Sequence, residues 1–160
     1  MDGDSVLGNI FRQILKRSFL SIINSYLDPS KIGPAPSSKE LWSVLQSIFK
    51  DLDAEKEHFV LLVLDHKNTV IGFKVISNGT PTNCPADPRK IYGAVLAPEW
   101  EAEAIVFSHN HPAGNPKPSE DDEELTRRLM AIGALLGIKV WDHIIMGHER
   151  FFSFADNGLL

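Results

Sequence analysis

Residues 102–122 read AEAIVFSHNHPAGNPKPSEDD, and their order of strand, loop and helix sets the architecture of the chain. The first seven residues are mostly apolar and are typical of a short buried strand. His109 and His111 follow directly, and a loop from Pro112 to Pro118 comes next. Ser119 can cap a helix whose first turn is acidic. A strand that passes through a loop into a helix indicates an α/β domain.

Two imidazoles at this point can converge on one metal ion. Residues two apart on an extended segment point to the same side, so His109 and His111 share a face. Imidazole nitrogens bind zinc at about 2.0–2.1 Å, and a carboxylate can complete a three-ligand set that leaves a position open for water. The loop is long enough to turn Asp122 back toward the histidines, although Asp122 also fits an ordinary capping box with Ser119. The sequence therefore predicts zinc held by His109, His111 and Asp122.

The rest of the pattern predicts a single α/β domain with a mixed sheet sandwiched by helices. Strands are expected at 58–65, 70–77, 102–108, 138–146 and 151–154, the first two forming an antiparallel hairpin. Helices are expected from Ser37 or Ser38 to about Asp53, from Asp87 through Leu96, and from Ser119 to Gly137, the last with Leu125, Leu129, Ile132, Leu135 and Leu136 facing inward.

Residues 1–36 are predicted to form an amphipathic N-terminal helix followed by a linker rich in proline and serine. The apolar stripe of this helix either packs on its own domain or serves dimerisation or the docking of a partner. We expect residues 37–160 to form the metal-dependent domain. A chain that starts at Ser37 should then keep the zinc site.

Composition restricts the classes of partner and compartment. The formal net charge of −5 makes nucleic acid an improbable ligand, because duplex binding relies on Lys and Arg. No stretch is apolar enough to predict a membrane span, and the start lacks the positive region of a secretory signal. Cys84 is the single cysteine, which excludes an internal disulfide and favours a reducing, cytoplasmic setting.

The whole string from His109 to Asp122 resembles the signature of the JAB/MPN (JAMM) metalloprotease family, specifically its RadC-like branch, in which His-x-His-Pro-x-Gly and Pro-Ser-x-x-Asp occur together. The resemblance extends from about Glu57 to Phe154. Residues 1 to about 40 fall outside it and do not resemble the helix-hairpin-helix region that many RadC-like proteins carry, which further weakens a DNA-binding role.

This resemblance implies a cytidine-deaminase-like fold and a zinc-dependent hydrolase that cleaves peptide or isopeptide bonds in a peptide or protein substrate. By the same resemblance, the metal ligands map to His109, His111 and Asp122, and the catalytic carboxylate that activates zinc-bound water maps to Glu57. Ser119 matches the serine that supports the oxyanion. Glu55 is the alternative to Glu57, because the two share a face on an extended segment.

Three further histidines, His58, His66 and His148, are expected at a strand edge or in turns, where exposed histidine is ordinary. Asp142 and His143 alternate on a predicted strand, so only one of them can face the metal and bond to a ligand histidine.

The sequence excludes one alternative function and leaves two others open. A cytidine-deaminase-like zinc site is excluded, because its His-x-Glu and Pro-Cys-x-x-Cys motifs are absent. A non-catalytic zinc-containing module that binds other proteins remains an alternative, as does an accessory protein associated with DNA repair.

Overall fold

The computed structural model describes residues 35–79 and 86–160, so the predicted N-terminal helix lies outside the described residues. The described elements are, in chain order, α1 (Ser38–Phe49), β1 (His58–Leu64), β2 (Val70–Asn78), α2 (Pro88–Val95), β3 (Ala104–Asn110), α3 (Glu120–Leu136), β4 (Lys139–Met146) and β5 (Phe151–Ser153). No helix among these residues is long and apolar enough to cross a membrane.

The strands form one five-stranded sheet in the order β2-β1-β3-β4-β5. β1 pairs antiparallel with both β2 and β3, whereas β3 and β4 run parallel. Parallel neighbours need a long crossover, and α3 supplies it between β3 and β4. The predicted α/β fold with a mixed sheet is thus confirmed.

Helices cover both sides of the sheet. Every residue of β1 is buried, in keeping with a sequence, HFVLLVL, that is apolar after His58. Alternate side chains of β1 and β3 pack against α2 and Leu129 of α3 on one side. The intervening side chains pack against Leu41 and Leu45 of α1 on the other. The strand that leads to the candidate histidines, β3, is therefore held in place by packing on both faces.

The ends of α1 and β3 differ from the sequence prediction. α1 ends at Phe49 rather than near Asp53, because the chain then turns twice, with Asp51 and Leu52 donating back to the last turn of the helix. β3 continues through His109 to Asn110, because β1 pairs with it as far as His109 and β4 pairs with it as far as Asn110.

The inner face of α3 was also predicted incorrectly in part. Leu135 and Leu136 are 55% and 44% exposed, whereas Thr126, Leu129 and Gly133 are buried. Gly133 lies so close to α2 that a Cβ atom there would come within 2.8 Å of the Tyr92 hydroxyl. The helix packs through a narrow strip of small and polar residues, a pattern that apolar periodicity alone does not reveal.

Candidate metal centre

The pairing of β1 with β3 brings the predicted site residues together. His109 lies near the end of β3, opposite Phe59 of β1, and His111 follows it by two positions. Glu57 immediately precedes β1, at the same end of the sheet as His109. Its backbone carbonyl accepts a hydrogen bond from the Gly79 N–H. Asp122 projects from the first turn of α3.

The nitrogen and oxygen atoms of His109, His111 and Asp122 are spaced as ligand atoms would be. His109 Nε2 lies 3.0 Å from His111 Nε2 and 3.1 Å from Asp122 Oδ1. His111 Nε2 lies 3.5 Å from Asp122 Oδ2. Ligand atoms at about 2.0–2.1 Å from a tetrahedral zinc lie about 3.3 Å apart, so these three side chains fit such an ion.

Glu57 lies beside the same histidines but somewhat farther away. Its Oε1 is 3.9 Å from His109 Nε2, and Glu57, His109 and His111 form a group whose ligand atoms all lie within 4.8 Å of one another. Such a group could hold a metal ion. Two carboxylates, those of Glu57 and Asp122, therefore compete for the third ligand position, and the shorter distances favour Asp122.

Burial separates Glu57 from the alternative Glu55. The Glu57 side chain is only 14% exposed, and this burial raises the pKa of its carboxyl group, against the opposing effect of the nearby histidines. Glu55 is exposed, and its backbone N–H donates to Asp53. Of the two candidates, Glu57 has the environment that suits a base of tuned proton affinity.

Hydrogen bonds on the far side of each imidazole orient both rings. His111 Nδ1 lies 2.8 Å from the carbonyl oxygen of Asn115, which can only accept, so Nδ1 carries a hydrogen and donates it. His109 Nδ1 lies 2.9 Å from Nε2 of His143. Both Nε2 atoms consequently point toward Asp122, as bonding partners behind a metal-binding imidazole would arrange them.

Asp122 and Ser119 also form the capping box that the sequence suggested. The N–H and the hydroxyl of Ser119 both donate to Asp122 Oδ2, each at a distance of 2.7 Å. The Ser119 hydroxyl oxygen accepts from the Asp122 N–H at 3.1 Å. Burial opposes ionisation of Asp122, but its close polar contacts with His109 and His111 hold the pKa of this carboxyl group far below its usual range. The cap and the site therefore share one carboxylate.

Of the alternating pair on β4, His143 faces the candidate metal centre. Asp142 points to the other side of the sheet, where Ser153 Oγ and the Ala155 N–H donate to its carboxylate. His143 is completely buried, and this burial lowers the pKa of its imidazole well below the usual value. Its Nδ1 contacts the hydroxyl of Thr126, a residue that the sequence analysis missed.

Asn110 is a second residue that the sequence analysis passed over, as the spacer between the two histidines. Its side-chain oxygen accepts from the His58 N–H over 2.7 Å, and its amide donates to the Lys56 carbonyl over 2.9 Å. Asn110 thus binds the residues on both sides of Glu57 and ties the carboxylate to the histidine motif.

The predicted exposure of His58 was wrong. This residue is only 3% exposed, because its ring bridges Asn78 Oδ1 and the Asp53 carbonyl. His66 and His148 are exposed as expected, and His148 lies in the turn between β4 and β5. The His148 ring packs over Gly114, where φ is +82° and a Cβ atom would come within 2.6 Å of the ring.

A cavity opens next to His111 on the side toward α1. It has a volume of about 360 Å³ and is lined mainly by apolar groups, together with His58 and Asn110. Its apolar lining includes Phe49, Leu52 and Met146. The cavity therefore borders the candidate metal centre at His111.

Comparison with known proteins gives one family match. Residues 35–159 match the model of the RadC-like JAB domain. A UPF0758 protein of Trichlorobacter lovleyi is 44% identical over 108 residues, which are 68% of this chain and 46% of the relative. A UPF0758 protein of Syntrophotalea carbinolica is 42% identical over 108 residues, covering 68% and 47% of the two chains. The chain spans about half the length of these curated relatives, whose names state no activity.

Proposed function

Because the chain belongs to the RadC-like JAB domain family, we propose that it is a zinc-dependent hydrolase that cleaves peptide or isopeptide bonds. One observation carries this proposal: His109 Nε2, His111 Nε2 and an Asp122 oxygen converge at ligand spacing, with the half-buried Glu57 beside them. Two imidazoles and one carboxylate are a donor set of catalytic zinc sites.

Each side chain then has a distinct role in the proposed reaction. Zinc, when bound, supplies a Lewis acid and lowers the pKa of water from about 15.7 to about 7. Glu57 takes the proton of the attacking water and returns it to the leaving amine. Ser119 turns its hydroxyl hydrogen from Asp122 toward the oxygen that becomes negatively charged in the transition state.

The cavity beside His111 favours a peptide or protein as the substrate. Its apolar lining can receive a side chain of a peptide while the adjacent carbonyl faces His109 and His111. We accordingly propose a peptide or protein as the partner. We place the protein in the cytoplasm, since a single cysteine suits a reducing compartment.

The direct test is metal analysis of the purified protein combined with profiling against peptide and isopeptide libraries. Zinc together with cleavage that a chelator abolishes supports the hydrolase. Stoichiometric zinc with no cleavage of any library would favour the alternative, a non-catalytic zinc-containing module that binds other proteins. Absence of zinc would contradict both.

We also propose that residues 37–160 form the domain and that residues 1–36 are an appendage that serves packing or a homodimer. A chain that starts at Ser37 retains the capping box of α1 and the buried Leu41 and Leu45. It should fold and bind zinc like the full chain, as measured by circular dichroism and metal content. An unfolded product would show that residues 1–36 belong to the core, and the oligomeric state of the two chains in solution tests the dimer.

A further prediction concerns Asn110. Asn110→Ala removes the two hydrogen bonds that flank Glu57, each contributing about 1 kcal/mol to stability. Displacement of a reacting group by about 1 Å can lower a rate by about 10²-fold, so turnover should fall toward that figure. Zinc content should remain near that of the parent.

Asn157→Ala provides a matched control, because the Asn157 amide also donates to a backbone carbonyl but in the C-terminal turn. Equal turnover in the two variants would contradict the role of Asn110. Loss of zinc in Asn110→Ala would instead show that the residue shapes the ligand set.

A further inference from the structure

A continuous chain of hydrogen bonds runs behind the candidate metal centre and joins two of its predicted ligands. It begins at His109 Nδ1, which lies 2.9 Å from His143 Nε2. His143 Nδ1 lies 2.6 Å from the Thr126 hydroxyl oxygen, and that oxygen lies 2.6 Å from the backbone carbonyl of Asp122. Thr126 and His143 are both fully buried, so water does not replace either partner.

The chain can run in two directions. A carbonyl oxygen can only accept, so when Thr126 donates its single hydrogen to Asp122, its oxygen must accept from His143 Nδ1–H. The buried His143 ring contacts His109 and Thr126 and has no carboxylate partner among residues 35–79 and 86–160, so it is neutral and keeps a lone pair on Nε2. His109 then donates from Nδ1, and His109 Nε2 has a free lone pair.

The opposite direction gives the opposite result. If Thr126 donates to His143 Nδ1, then His143 donates from Nε2 to His109 Nδ1, and the hydrogen of His109 sits on Nε2. That hydrogen would point at Asp122 Oδ1, 3.1 Å away, and would occupy the position needed by a metal. The direction of the chain thus decides whether His109 can be a ligand.

We propose that Thr126 and His143 are positioning residues, which hold His109 in the tautomer that presents a free Nε2 to the metal. The inference rests on the proposed zinc site. Asp122 then has two roles: its carboxylate is a metal ligand beside His109, and its backbone carbonyl is the final acceptor of the hydrogen-bond chain. Two ligands are therefore coupled through the protein as well as through the metal.

The first test reads the tautomers directly. In the zinc-loaded parent protein, long-range proton–nitrogen NMR spectra should show His109 and His143 both protonated at Nδ1 and unprotonated at Nε2. A purely structural His143 could carry its hydrogen on either nitrogen. A hydrogen on His143 Nε2 would overturn the inference.

The second test changes the end of the chain. Thr126→Val keeps the shape but removes the hydroxyl, so His143 Nδ1–H has no acceptor when zinc is bound. Loss of such an outer partner typically weakens metal affinity by about 10- to 100-fold, and we expect that range in zinc competition with a chelator. Thr126→Ser restores the hydroxyl and should return affinity to that of the parent.

Ser108→Ala is the matched control, because Ser108 is a fully buried hydroxyl that donates to the Ile144 carbonyl on the other side of the sheet. It should leave zinc affinity unchanged. If the parent binds zinc and Thr126→Val binds it equally well, the inference fails while the proposed function stands. If the parent binds no zinc, both fail. If Thr126→Val does not fold, the NMR measurement on the parent still decides.

Discussion

Replacing His109, His111 or Asp122 by alanine is expected to remove most of the zinc from a protein that otherwise binds about one ion per chain. Two protein ligands rarely hold zinc in a catalytic site, which normally has three and an open position. Each substitution leaves only two of the three atoms that lie 3.0–3.5 Å apart. Metal content after dialysis against a weak chelator, measured by mass spectrometry, checks this expectation.

His66→Ala is the control for these substitutions, because His66 is exposed in the turn between β1 and β2. It should retain zinc fully. Stoichiometric zinc in the double variant His109→Ala/His111→Ala would refute the site. Asp122→Asn separates ligation from capping, since its amide oxygen can still accept from Ser119 while the negative charge is lost. Retention of zinc in Asp122→Asn would transfer the third ligand position to Glu57.

Local patterns in the sequence were sufficient for the parts of the site that depend on spacing. His109 and His111 share a face because side chains alternate along a strand. Asp122 returns to them because a short loop and a capping box fix the start of α3. The resemblance to a family then added Glu57, which no local pattern connects to residues 52 positions further along the chain.

The remaining contacts depend on how separate segments meet, and the sequence alone could not reveal them. His143 rather than Asp142 faces the site because a register shift between Ile105 and Val106 sets how β4 pairs with β3. Asn110 contacts the segment around Glu57 only because β1 and β3 are neighbours. Thr126 could have been anticipated, since it lies four residues after Asp122 and shares its helix face.

Glu57→Gln is expected to abolish most of the turnover of any substrate that the protein cleaves, while leaving zinc in place. The amide keeps the shape of the side chain but cannot take a proton, and general acid–base catalysis typically contributes about 10² to 10⁴ in rate. Because Oε1 of Glu57 lies 3.9 Å from His109 Nε2, beyond the distances that Asp122 makes, we expect it to act on water rather than as a ligand. Rate and metal content must therefore be measured on the same preparation.

Glu55→Gln is the matched control, two residues away and exposed, and it should change the rate little. Reversal of the two phenotypes would move the base to Glu55. Loss of zinc in Glu57→Gln would make Glu57 a ligand, in which case Asp122→Asn should keep its metal. Full activity in both variants would contradict the mechanism. Among residues 35–79 and 86–160, Asp122 is the other carboxylate that lies near His109, and the site needs Asp122 to hold the ion.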